Sequence, residues 1–336
     1  MPGKGNIAAG KGALGAVGAV RSFFGVVKEI DFDEVRDRAE TRPRIVVIGP
    51  QEADAHSAAE RVFGSDNEAG VEYRAADRRL EFDRNRYDAA IVIDPHNSGL
   101  IDDVKKFVGS SWAPNVFELR GAQGATDRDE RVRLQMSTAL PHLAPSLGRH
   151  FESFRPAAVR AIIDETSRVN GKFALISNVP SIVPIFGSFV AASADVIVLT
   201  KNQIMMCYKI AAVHNRDLNN QLGVIRELVP VVGAGFLWRT IAREAASFIP
   251  FAAGTVPKVV VAYAGTYSVG HGTDFYYRFG KKPSAAQLRT FSKQAVETAL
   301  KLPFLTKDKK ADSAAQSGTN PTEPITSGEL TTKLDQ

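Results

Sequence analysis

Two runs of apolar residues constrain the fold of this chain more than any other feature. They are IVVI at 45–48 and AAIVI at 89–93, and neither alternates with polar residues. Strands that are apolar on both faces are typical of parallel sheets with helices on either side. Further strand-like runs are VEYRAA (71–76), RRLEFD (78–83) and NVFELRG (115–121), and helix-like segments lie near 53–63 and 99–109. The sequence therefore predicts an α/β domain with a parallel-rich sheet of about four to six strands between residues 44 and 121.

The connection after the first run has the layout of a phosphate-binding loop without its residues. Such a loop reads G-x-x-x-x-G-K-[ST]: its amides wrap the phosphates, its lysine neutralises them and its hydroxyl holds magnesium. Gly49 fits the first glycine, but Asp54, Ala55 and His56 occupy the glycine, lysine and hydroxyl positions. Asp54 would also place a negative charge against the phosphates. We interpret this stretch as a vestigial phosphate-loop position.

The stretch LEFDRNRYDAAIVIDP reads as a strand, a turn and a following strand. Through this stretch, residues 40–150 resemble a small GTPase-like domain in their layout, with the D-x-x-G turn of that family between the two strands. Asp83 stands at the aspartate of the turn, whereas Arg86 replaces its glycine. The family reads its base with N-K-x-D, and RGAQG at 120–124 stands there instead. The resemblance implies a P-loop GTPase-like layout, and the substitutions imply that each nucleotide-handling motif is degenerate.

The stretch IDPHNSG offers a different candidate, a carboxylate and a histidine at a strand end. Asp94 and His96 have the residue types of an acid–base or metal-binding pair. The competing interpretation, which we favour, is that Asp94 caps the turn before the helix near residue 99. The histidines show no Cys or carboxylate partners at metal-ligand spacing, and Cys207 lies in an apolar helical context typical of a buried thiol. We therefore predict no catalytic residue, cofactor or metal.

The carboxyl-terminal half lacks strand-like alternation. From about residue 146 to 305, apolar segments carry a proline followed by a glycine, and these segments are VPIFG (183–187), VPVVG (229–233) and IPFAAG (249–254). Proline begins helices well, and glycine permits sharp turns or close helix approach. The pattern predicts an all-α bundle of apolar helical hairpins.

Residues 155–280, about a third of the chain, contain a further set of marked positions, which are Pro184, Gly187, Asp195, Lys201, Asn202, Gln203, Met205, Met206, Pro250, Gly254, Ala264, Gly265 and Gly270. Through these residues this part of the chain resembles the YcjF-type bacterial domain, a GTPase-associated domain of unknown function. Members of that family are often joined to GTPase domains or encoded with them, and many are described as membrane proteins. The resemblance implies a GTPase or membrane-protein partner.

Membrane contact can be judged from charge and hydropathy. The acid-free segment 1–28 carries Lys4, Lys11, Arg21 and Lys28 beside apolar residues at helical spacing. This pattern suits either a helix on an anionic membrane surface or a helix docked on the protein's own core. Residues 173–194 and 245–273 are candidate spans, but prolines interrupt both. Lys258 in the second would cost about 3 kcal/mol at the bilayer centre. Peripheral binding is favoured over multi-pass insertion.

These features divide the chain into amphipathic helices (1–40), a GTPase-like α/β domain (41–145), a helical domain (146–305) and a disordered tail (306–336). Charges are mixed along most of the chain despite a net charge of +5, which argues against a nucleic-acid partner. The leading hypothesis is a non-catalytic, GTPase-associated or membrane-associated adaptor on the cytoplasmic face of a membrane. The alternatives are an integral multi-pass membrane protein and a divergent nucleotide hydrolase.

Overall fold

A computed structural model of the chain describes residues 25–65, 69–76, 82–119, 125–176, 194–232 and 255–303. Residues 1–299 make up one unit and residues 300–336 a second. All the helices and strands described below lie in the first unit. The division of that unit at residue 145 into an α/β domain and a helical domain stays a prediction.

Four parallel strands form the sheet. They are β1 (Ile45–Gly49), β2 (Val71–Ala75), β3 (Ala89–Ile93) and β4 (Val116–Leu119), in the order β2-β1-β3-β4. In the register of the sheet, Ile45 lies opposite both Val71 and Ala89. The prediction of a parallel sheet is therefore confirmed, with the strand number at its lower limit. Of the predicted strand at 78–83, residues 78–81 lie outside the described residues and the remaining two are not in a strand.

Helices cover both faces of the sheet. The helices on the sheet are α2 (Glu52–Phe63), α3 (Leu100–Val108) and α4 (Ala125–Ala139), and α1 (Asp33–Glu40) precedes the first strand. One face packs Ile45, Val47 and Ile91 against α2 and α4. The other face packs Val46, Ile48 and Val92 against α3. The apolar runs IVVI and AAIVI follow from this arrangement, because both sides of the central strands are buried.

Helices follow the sheet. They are α5 (Ala144–His150), α6 (Arg155–Ile176), α7 (Ala194–Val213), α8 (Gln221–Val232), α9 (Thr255–Phe279) and α10 (Ala285–Ala299). The long helices α6 and α9 pack together, and α10 folds back along α9. Among the residues described between 155 and 300 there is no strand, which confirms the helical character of this half. The segments 183–187 and 249–254 lie outside the described residues, and 229–233 begins within the last turn of α8.

The described part of the amino-terminal segment docks on the protein itself. Val26, Val27 and Phe32 are buried in a cluster with residues of α7 and α8, and the Phe32 ring centre lies 4.5 Å from that of Tyr208. Residues 25–28 are helical, whereas residues 1–24 lie outside the described part of the chain. Helix α1 begins at Asp33, and the Asp31 carboxylate accepts the Asp33 N–H at 2.9 Å.

Two segments, 173–194 and 245–273, were candidate bilayer spans in the sequence. Within the ranges that the structure describes, no helix combines the length and the apolar character needed to cross a membrane. Residues 177–193 of the first candidate and 245–254 of the second lie outside those ranges. The rest of the second candidate is the amino-terminal part of α9.

Candidate functional site

The candidate site lies at the carboxyl ends of β1 and β3. After β1 the chain enters α2 on one face of the sheet, and after β3 it enters α3 on the other face. Neighbouring strands that lead to opposite faces leave a crevice between them, where open α/β sheets usually bind ligands. The predicted phosphate-loop position and the Asp94–His96 pair both lie at these carboxyl ends.

The connection from β1 to α2 is short and closed. Only Pro50 and Gln51 separate Gly49 from the first residue of α2. A Cβ on residue 49 would lie 3.0 Å from the Ala55 nitrogen and 3.0 Å from the Gln51 carbonyl oxygen. Glycine is needed here because the helix passes close to the strand end. In a phosphate-binding loop the residues after the first glycine form a cradle, whereas here the chain is helical from residue 52.

The side chains at the predicted phosphate-loop position differ in burial. Ala55, at the lysine position, is buried in the cluster beneath the sheet. His56, at the hydroxyl position, is exposed and meets the ring of Tyr73 edge-on at 4.8 Å. Asp54 is exposed in the first turn of α2 together with Glu52. The helix terminus that would attract a phosphate therefore carries two carboxylates, which oppose an anion.

Asp94 is committed to the start of α3. Its Oδ1 accepts the Ser98 N–H at 2.7 Å and the Ser98 hydroxyl at 2.9 Å. Its Oδ2 accepts the N–H groups of Gly99 at 3.0 Å and Leu100 at 3.1 Å. Burial alone would raise the pKa of Asp94, but these hydrogen bonds together outweigh burial and lower the pKa below its ordinary value. Asp94 is 2% exposed, so it is a structural cap.

His96 does not complete a pair with Asp94. Its side chain is exposed, and no hydrogen bond joins the two residues. The left-handed backbone of Asn97 (φ 50°) and Gly99 (φ 87°) turns the following N–H groups towards the carboxylate. The capping interpretation of Asp94 is therefore confirmed. Ser98, which donates two of the four bonds, was not singled out from the sequence, although a serine four residues after a strand-end aspartate is a usable signal.

Asp83 lies near the amino ends of the strands, opposite to the candidate site. It accepts the Asn85 N–H at 3.0 Å and precedes a short 3-10 helix, Arg84–Arg86. The Arg84 guanidinium donates to the carbonyl oxygen of Val108, the last residue of α3. Because α3 starts at the carboxyl end of β3 and runs back along the sheet, its last turn lies at the amino ends of the strands. The structure therefore does not bring Asp83 to Gly49, and the base-reading position 120–124 lies outside the described residues.

A second polar cluster lies inside the helical part. The Asn170 amide on α6 donates to the Thr266 hydroxyl on α9 at 2.9 Å, and Gln203 on α7 donates to the same oxygen at 3.1 Å. Asn202 donates to the Asn170 oxygen at 2.8 Å. The Thr266 hydroxyl donates in turn to the Ala262 carbonyl. Asn202 and Gln203, which carry the family resemblance, thus join three helices through bonds that leave Thr266 saturated.

Two further residues of the resemblance have structural contacts. Lys201 pairs with Glu29 of the amino-terminal segment at 2.9 Å. A Cβ on Gly270 would lie 2.6 Å from the Ile163 Cγ1 atom, so glycine lets α9 approach α6 closely. None of these contacts leaves a group that faces a ligand.

A histidine just after α7 and a carboxylate on α9 form a pair that the sequence did not single out. His214 Nε2 lies 2.9 Å from Asp274 Oδ1, and Arg278 lies 3.7 Å from the other carboxylate oxygen. Cys207, two turns earlier on α7, is buried and lies 3.4 Å from the Thr273 hydroxyl. Burial raises the pKa of Cys207 to about 11, so the reactive thiolate is scarce at neutral pH. The prediction of a buried thiol is confirmed.

A groove of about 380 Å³ runs between α4 and α6. Its walls carry carboxylates, from Asp127 and Glu130, as well as arginines. Arg133 is committed to the end of α2, where it donates to the carbonyl oxygens of Val62 at 2.8 Å and Arg61 at 2.6 Å. The mixed charge gives the groove no preference for one class of ion.

Metal-binding groups and similar proteins complete the description of the site. In the part of the chain that the structure covers, no three His, Cys, Asp or Glu side chains are grouped to hold a metal ion. No protein-family model, no curated protein and no solved structure matches the chain.

Proposed function

We propose that this protein is a non-catalytic adaptor whose sheet derives from a P-loop GTPase-like layout and whose nucleotide position has closed. The observation that carries the proposal is the two-residue connection between β1 and α2. It leaves no loop to wrap a phosphate, and it buries Ala55 where a lysine would be needed. At the end of the neighbouring strand, Asp94 is committed to capping α3. The sheet then serves as a scaffold for binding rather than for chemistry.

The adaptor works at an anionic membrane surface, on the cytoplasmic face, together with a GTPase. The membrane half of this proposal rests on the acid-free segment 1–28 and the net charge of +5. The GTPase half rests on the resemblance of residues 155–280 to a GTPase-associated domain. The buried polar bonds among α6, α7 and α9 support a rigid bundle that presents an outer surface to partners.

Calorimetry with GTP or ATP and magnesium tests the non-catalytic half. We expect a dissociation constant no tighter than about 1 mM, because the residues that would neutralise and wrap the phosphates are absent. Asp54→Ala removes one repelling carboxylate and serves as a control. Because the loop is closed, this variant should bind no better than wild type. Micromolar, magnesium-dependent affinity, or hydrolysis that is lost in Asp54→Ala or Asp83→Ala, would instead establish the hydrolase alternative.

Vesicle pelleting of the full chain tests the membrane half. We expect the protein to pellet with phosphatidylserine-containing vesicles at low salt and to remain in solution with neutral vesicles. Removing residues 2–24 should weaken the binding and its salt dependence. The deletion stops there because Val26 and Val27 are buried in the helical part. If the protein does not pellet at low salt, the membrane half of the proposal is wrong. If its membrane binding resists high salt and alkaline carbonate, the multi-pass alternative is favoured.

A further inference from the structure

The hairpin formed by α9 and α10 carries charge of one sign. Between Phe275 and Val296 the chain has no acidic residue, and its basic residues there are Arg278, Lys281, Lys282, Arg289 and Lys293. All five basic side chains are exposed. The inner face of α10 is buried through residues such as Leu288 and Val296, so the cations occupy the outer face and the turn. Apart from this hairpin and the acid-free segment 1–28, basic and acidic residues are mixed along most of the chain.

Most of these cations are not neutralised within the protein. Arg278 lies 3.7 Å from Asp274. Lys281, Lys282, Arg289 and Lys293 form no ion pair with any residue that the structure describes. An unpaired group of cations of this kind attracts a polyanion.

An exposed aromatic residue stands at the centre of the turn. Phe279 is 53% exposed, its ring centre lies 4.5 Å from that of Phe275, and the Arg278 guanidinium lies 5.3 Å from its ring. The chain reverses at Gly280, which has φ 65°. Ser284 and Gln287 then exchange hydrogen bonds and fix the start of α10. The phenyl ring therefore stands on a fixed, convex turn beside three cations.

We infer that this turn, Arg278–Lys282, docks on the headgroups of an anionic membrane, with Arg289 and Lys293 extending the contact along α10. The inference rests on the membrane half of the proposed function and names its contact surface. The cations pair with lipid phosphates and carboxylates, and Phe279 enters the boundary between headgroups and acyl chains. A convex turn with one aromatic residue suits a lipid surface better than single-stranded nucleic acid, which lies in a basic groove lined by several stacking rings.

The chain contains a matched control surface. Lys105, Lys106 and Phe107 on α3 are also exposed, with Phe107 46% exposed. They lie within a helix, and the exposed carboxylates of Asp102 and Asp103 lie one turn earlier on it, whereas no acidic residue lies between Phe275 and Val296. These acids offset the two lysines, so the control surface should not bind anionic lipid.

Partition of the full chain onto vesicles of phosphatidylserine and phosphatidylcholine tests the inference. Lys281→Gln with Lys282→Gln should lower the partition coefficient about 25-fold, since each cation contributes about fivefold near the surface. Phe279→Ala should lower it about tenfold, and this loss should persist as salt is raised. Phe279→Trp should bind as wild type does and show blue-shifted fluorescence with vesicles. Lys105→Gln with Lys106→Gln, and Phe107→Ala, should each change the coefficient less than twofold.

The outcomes separate the inference from the proposed function. If wild type binds and the variants of the turn bind equally well, the inference is overturned while the membrane half of the proposed function stands. If wild type ignores anionic vesicles at low salt, both fail. If binding depends on the lysines but not on Phe279, and RNA displaces the protein from vesicles, the partner is a nucleic acid and the lipid assignment is wrong. Circular dichroism of each variant shows whether its fold is intact.

Discussion

At the scale of single residues, the buried polar groups at the two candidate sites have internal partners. Asp94 accepts four hydrogen bonds from the start of α3, and Thr266 both accepts from two amides and donates to a carbonyl. Groups that are saturated in this way hold their own backbone in place and do not turn over a substrate. This distinguishes them from catalytic carboxylates, which need a free lone pair or proton.

Replacing the buried carboxylate of Asp94 should therefore reduce stability. Asp94→Ala leaves three N–H groups and a hydroxyl without their acceptor, and we expect the free energy of unfolding to fall by about 2 kcal/mol. Urea denaturation followed by circular dichroism measures the loss. Ser98→Ala removes only the hydroxyl donor and should cost less than about 1 kcal/mol. An Asp94→Ala protein as stable as wild type would contradict the capping role.

The same carboxylate predicts a pH dependence. The pKa of Asp94 is lower in the folded protein than in the unfolded chain, where an aspartate titrates near pH 4. Its stabilisation is therefore present above about pH 4 and is lost as the pH falls through the folded pKa. The difference in unfolding free energy between wild type and Asp94→Asn should shrink over that acid range. A difference that is constant from neutral to acid pH would argue against this linkage.

At the scale of elements, the short helix α5 joins the sheet to the helices. Leu147 packs in the cluster beneath the sheet, and the next residue, Gly148, lies against α6 and α7. A Cβ on Gly148 would lie 2.7 Å from Val213 Cγ1 and 3.0 Å from Ala158 Cβ. The valine is stiff because its branch point is next to the backbone, so it cannot move aside easily. The close approach of α5, α6 and α7 therefore requires a residue without a Cβ at position 148.

Gly148→Ala should lower the unfolding free energy by about 1–2 kcal/mol, because crowding against Val213 exceeds the gain in helix propensity. Val213→Ala removes the methyl groups that the new Cβ would meet. The double variant should lose less unfolding free energy than the two single variants lose in sum. The difference, which is the coupling energy, should be about 1 kcal/mol or more. Denaturation curves of the four proteins provide this cycle. Strict additivity would show that the two residues do not share the contact.

At the scale of the whole molecule, much of the fold could be predicted from the sequence. IVVI and AAIVI are apolar on both faces, which is typical of a covered parallel sheet, and Asp94 follows a strand and precedes a helix. The closure of the β1–α2 connection could not be predicted, because counting motif positions from Gly49 does not tell where the helix begins. The location of Asp83 at the opposite edge was missed for a similar reason. Its sequence context fixes its neighbours but not the end of the sheet at which they lie.

The docking of the amino-terminal segment was also left open by the sequence, since its partners lie far along the chain. Glu29 meets Lys201 across 172 residues, and Asp33 meets Gln221 across 188 residues. During synthesis at about 5–20 residues per second, roughly 10–40 s pass before those partners have been added. Phe32 and its neighbours are therefore synthesised well before the helices that bury them. The nascent chain exposes this apolar segment while the residues of the sheet are being added.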